Sequence, residues 1–178
     1  MSSFTRELAP RRIDTAVPVG FIAAPENADA IALFEYWNEK RGERPMPDRS
    51  DISPSEFVRL LPWIGIIEVI GDGSDFRFRL FGSGLAEWVG RDRSDELFSE
   101  MEPVPGSGQT AEAVRKRWTD VASLALAAAK PIFVKAPILG TAIERRTLHG
   151  IVLPLTSGGT KIAQLLGGGF IEKMPIRD

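Results

Sequence analysis

The chain has no cysteine. That excludes disulfides, thiolate metal sites, thiol nucleophiles and any chromophore attached through sulfur. Histidine occurs once, at position 149, and a single imidazole without thiolates does not assemble the usual zinc site. No run approaches the ~20 consecutive apolar residues that a membrane-spanning helix needs. The N-terminal stretch MSSFTRELAPRRID also lacks the apolar core of a secretory signal. The cytosol is therefore the expected compartment, with no membrane partner. An excess of positive charge is missing too: 22 Lys and Arg stand against 24 Asp and Glu, a net charge of -2. Proteins that bind a phosphate backbone usually carry a clear positive surplus, so no nucleic-acid partner is expected, and Arg115-Lys116-Arg117 reads as a solvated face.

What is present is ordinary globular material. At 178 residues with 43% hydrophobic side chains, the chain is long enough for one domain with its own core. Residues 1–25 read as an N-terminal arm punctuated by Pro10, Pro18 and Pro25, with an apolar run from Val17 to Ala24 that can lie extended against something else. The domain proper is expected over residues 26–178. Asn27 can cap a helix that Gly42 stops, and Ile31, Phe34 and Trp37 recur along one face of it. Ser53 and Glu56 have capping-box spacing, with Pro54 at the first helical position, which predicts a short helix that Pro62 ends.

Trp63 to Ile70 is rich in β-branched residues, Gly71 to Ser74 is a turn, and Asp75 to Phe81 alternates. Strict alternation puts Phe76, Phe78 and Leu80 on one side and Arg77 and Arg79 on the other. Short helical pieces over residues 83–101 and a loop lead to a long helix from about Thr110 to Ala129, which Pro131 closes. Three further strands are expected over about 132–138, 145–153 and 161–171. The order predicts an α+β fold: a five-stranded antiparallel sheet with helices packed on one face and an N-terminal helical extension.

Two tracts carry a family resemblance: YWNEKRGERPMPDRSDISPSEFVRLLPWIGIIEV and DFRFRLFGSGLAEWVGRD. A Tyr-Trp helix, a proline–arginine loop, an Asp-Ile-x-Pro helix start and a Phe-Arg-x-Arg-Leu strand running into Gly resemble the PAS-domain family of the stand-alone type common in alphaproteobacteria. The likeness is strong over about residues 30–95 and weaker through Leu153-Pro154-Leu155. It implies a PAS-like fold and a sensory or regulatory domain rather than an enzyme. One departure stands out: many relatives have Thr-Gly where this chain has Ser94-Asp95, in a loop leading toward the helices over the PAS cavity.

PAS domains hold haem, flavin, organic acids or nothing. Thiol-linked chromophores need the missing cysteine, and the one histidine is expected on a strand rather than on the long helix where a PAS haem ligand often lies, so no cofactor is expected. Phe78, Trp88, Trp118, Phe133 and His149 are candidates to line a ligand pocket, with core packing as the alternative for each. Arg79 is a candidate clamp for an acidic ligand or an interface residue, with a salt bridge as its alternative. Ile31, Phe34 and Trp37 are candidates for a homodimer interface, or for packing on the chain's own sheet. Without an output segment, a signal is expected to leave through dimerisation or by docking onto a separate protein.

A small cavity enzyme, an isomerase or dehydratase using His149 and a carboxylate as acid and base, is the alternative from another class. An adaptor with a filled core and no ligand is the third. Gly82-Ser83-Gly84 follows a strand, but Glu87 takes the third glycine position of a dinucleotide motif, so no such site is expected.

Overall fold

A computed structural model of the chain describes residues 19–139 and 145–173. The alternating apolar runs pair into one antiparallel sheet: β1 (Gly20–Ile22), β2 (Ile64–Ile70), β3 (Asp75–Phe81), β4 (Ile132–Leu139), β5 (Arg145–Thr156) and β6 (Ile162–Lys173), in the order β1-β4-β5-β6-β2-β3. Strands β2 to β6 are the five expected. The sixth comes from the apolar run of the arm, where Gly20, Phe21 and Ile22 pair with Lys135, Val134 and Phe133. The remainder of the arm, residues 1–18, lies outside the described residues.

Both faces of the sheet are covered, because the pleat sends apolar side chains both ways. One face presents Ile64 and Ile66 of β2, Ile151, Leu153 and Leu155 of β5, and Leu166 and Phe170 of β6. Helix α1 (Ala28–Arg41) packs there through Ala30, Leu33 and Trp37, followed by 3-10 turns between Arg49 and Trp63. The opposite face presents Ile67, Phe76, Phe78, Val152 and Leu165. It is covered by α2 (Ser83–Val89), a turn at Phe98–Glu100 and α3 (Ala111–Ala128). α1 is thus the expected helical extension, and it closes the side of the sheet that the other helices leave open.

Local signals fix the long helices. The Asn27 side chain accepts from the amides of Asp29 at 2.9 Å and Ala30 at 3.2 Å, and Gly42 ends α1 at φ 56°. Thr110 caps α3 by accepting from the Ala113 amide at 3.1 Å. The predicted box at Ser53 does not form: Pro54–Glu56 and Val58–Trp63 are 3-10 turns, and Ser53 makes no side-chain cap. Glu56 is drawn away by Tyr36, whose hydroxyl donates to it at 2.7 Å, and by the Lys40 ammonium at 2.9 Å. The capping box that does form lies one segment earlier, between Asp48 and Asp51.

Asp48 also joins that segment to the β5–β6 turn. Its carboxylate accepts from the Ser50 and Gly158 amides at 3.0 and 2.7 Å and from the Thr156 hydroxyl at 3.0 Å. The amide of Ser50, then that of Gly158, hold its pKa well below the usual aspartate range. A depressed folded-state pKa adds stability that is present above the unfolded value, about 3.9, and is lost as pH falls toward the folded one. Asp48→Asn is therefore expected to flatten the loss of stability below about pH 4, read as denaturation midpoints across an acid series.

Strand β3 does not alternate strictly. Ile66 pairs with Leu80 and Ile67 with Phe78, so Arg79 is an extra residue, a β-bulge. The bulge turns Leu80 away from the Phe76/Phe78 side and gives its expected place to Phe81, which is buried. Leu80 is left 43% exposed on the α1 side of the sheet.

Candidate binding groove

The five pocket candidates divide between the two faces. Phe78 and Trp118 meet between the sheet and α3, where Phe78 touches Trp118 edge-on at 5.3 Å, Phe81 at 4.8 Å and Phe98 at 5.0 Å, centroid to centroid. Phe76 closes on Phe98 at 5.6 Å, and Met101 lies buried in the same cluster. Rings at these separations are in mutual contact between the strands and the helix. Trp88, on α2, is half-buried and takes no part in these ring pairs among the described residues.

Phe133 and His149 lie on the other face. Phe133 packs edge-on against Phe34 at 5.0 Å. His149 stands in register with Lys135 and Phe170 and places Nε2 2.8 Å from a Glu172 carboxylate oxygen. The carboxylate partner of the acid–base alternative therefore exists. The imidazole is 3% exposed, whereas its Glu172 partner is 53% exposed. Of the α1 stripe, Trp37 is buried with its indole N–H donating to the Pro154 carbonyl at 3.0 Å, while Ile31 and Phe34 are half-buried.

An open concavity lies away from these residues, on the α1 face at the β3 edge, and measures about 750 Å³. Its wall is the irregular segment that includes Arg49, Phe57, Val58 and Leu61, and its floor is Ile64, Ile66 and Gln164. The far side is the bulged end of β3, Arg79 to Gly82. Gln164 reaches it from the cross-strand row Gln164, Glu68, Arg77, and Ile66 and Leu80 from the next row, beside buried Leu166. Val58 is 61% exposed, which with Leu80 puts two aliphatic side chains at solvent beside an apolar floor.

Arg49 and Arg79 line the groove, and no carboxylate does. The Arg49 guanidinium donates to the Ile52 carbonyl at 3.1 Å, and Arg79 has Asp95 at 4.0 Å as an ion-pair partner. A guanidinium has five donors, so both retain capacity for an incoming acceptor. The Gln164 Oε1 atom is buried without a hydrogen-bond partner, while Arg77 Nε in the same row has the Glu68 carboxylate at 3.5 Å as an ion-pair partner.

Gly82-Ser83-Gly84 owes its glycines to this wall. A Cβ on Gly82 would sit 2.4 Å from the Pro62 carbonyl oxygen, and one on Gly84 would sit 2.9 Å from the same atom. Both contacts are to backbone, which cannot rotate away. Gly82→Ala is expected to destabilise the fold by about 2–3 kcal/mol through overpacking, with Gly84→Ala milder, measured by urea denaturation.

Arg79 is the one candidate from sequence that reaches this groove. The others that build it were missed: Val58 and Gln164 lie about a hundred residues apart, and Leu80 was assigned to the opposite face. A bulge leaves no mark in the pattern of a seven-residue strand.

The loop carrying Ser94-Asp95 lies along the β3 edge. The Asp95 amide donates to the Phe78 carbonyl at 2.7 Å, and the Phe78 amide donates to the Glu96 carbonyl at 3.2 Å. Asp95 has φ 64°, a left-handed conformation that glycine adopts without strain and that aspartate tolerates better than most residues. Asp95 places a carboxylate 4.0 Å from the Arg79 guanidinium.

A family model described as a PAS domain matches residues 25–168. Neither the curated proteins nor the solved structures contain a match to the chain. No helix among the described residues is long and apolar enough to cross a membrane.

Proposed function

The chain belongs to the PAS-domain family of sensory and regulatory domains, and we propose that it works by docking onto another protein, with its interior filled by its own side chains. The observation that carries this reading is the interlocked set of Phe76, Phe78, Phe81, Phe98 and Trp118, which occupies the space between sheet and α3. A planar cofactor or organic ligand seated among these rings would have to part rings that touch one another. The signal is then carried by surfaces, in the cytosol, with a second copy of the chain among the candidate partners and no cofactor required. Of the three readings open at the sequence level, the filled-core adaptor is the one this packing favours.

Trp118→Ala tests it. In a filled interior, the truncation opens a hole in a packed ring cluster and destabilises the fold by about 2–3 kcal/mol. Added indole then raises the melting temperature of the variant and leaves the wild type unchanged. A loss below about 0.5 kcal/mol, or stabilisation of the wild type by indole itself, would show that Trp118 borders an existing cavity.

A further inference from the structure

We propose that the groove at the β3 edge receives an acidic, aliphatic-rich segment of a partner protein, a proposal that rests on the docking reading above and names where and what it docks. Its first support is charge: Arg49 and Arg79 line the groove with no acidic residue among the lining. Planar guanidinium groups recognise carboxylates in two-pronged fashion. Its second is the apolar surface already present at solvent, Val58 at 61% and Leu80 at 43% exposure, above a floor of Ile64 and Ile66. Aliphatic side chains set there would remove both from water.

The third is Gln164, a half-buried residue of the groove lining whose side-chain amide can both donate to and accept from a peptide backbone. A peptide segment brings all three complements together. A small organic acid is less well served, since sites for such ligands enclose most of the molecule, whereas here Val58 and Leu80 stand open.

Random peptides of about twelve residues, displayed on phage and selected on the full chain, supply the probe. The expected result is enrichment of Asp or Glu among Leu, Ile or Val. Synthetic copies should bind the wild type at least about tenfold more tightly than they bind Arg79→Glu or Val58→Asp. Both substitutions fall on exposed side chains, so melting temperatures should hold; should Arg79→Glu lower its own, Arg49→Gln takes its place. Enrichment of basic or wholly apolar peptides would overturn the proposal. So would peptides whose affinity the variants leave unchanged, a result that moves the docking site and spares the docking reading. Failure to enrich any peptide, with dodecanoate binding that Arg79→Glu abolishes, would make this a small-molecule site and overturn both.

Discussion

Replacing Glu96 with alanine is expected to destabilise the fold by roughly 3–5 kcal/mol, more than replacing the arginine it holds. The Arg93 side chain is 2% exposed, and its NH1 group donates to Glu96 at 2.7 Å. NH2 donates to the Glu102 carbonyl at 3.1 Å, and Nε has no partner. Glu96 therefore supplies the only carboxylate paired with this cation among the described residues. Removing it leaves a full charge buried and unmatched. Removing the cation instead leaves Glu96 18% exposed and still bonded to Arg91 at 2.8 Å. Arg93→Met should accordingly be milder by at least about 1 kcal/mol. The pair anchors the loop that delivers Phe98 and Met101 to the ring cluster, so Glu96→Ala should also loosen Trp118 fluorescence. Urea denaturation of the two single variants checks the order; a larger loss for Arg93→Met would contradict it.

Trp37→Ala is expected to be as damaging, at about 3–5 kcal/mol. The indole is 2% exposed, stacks beside Phe34 at 6.3 Å and donates to Pro154. Trp37→Phe keeps most of the volume but strands the buried Pro154 carbonyl, for about 1–2 kcal/mol. The two variants also decide what the α1 stripe is for. If Trp37 served a homodimer interface, Trp37→Ala would weaken self-association and leave the monomer stable. Packing on the chain's own sheet predicts the reverse, a large loss of stability at every protein concentration.

Local chemistry made much of this fold legible. Asn27, Gly42 and Thr110 announce helix ends through their own side chains or backbone freedom, and the β2–β3 hairpin follows from its turn and its alternation. The period of two in β5 puts His149 on the side of Ile151 and Leu153. It could not say which face α1 would cover, because both faces are apolar. The fate of Glu56 turned on Tyr36, twenty residues away in the chain, and no capping rule includes such a partner. The groove needed more still: the bulge at Arg79, a wall of irregular turns and Gln164 from the last strand. Its residues acquire meaning only when strand register places them together.

The most direct test of a filled interior is a native mass spectrum of the freshly purified protein set against the denatured chain. The account predicts species whose masses are whole multiples of the bare chain. A small-molecule mass carried by the native protein and released on denaturation would contradict it.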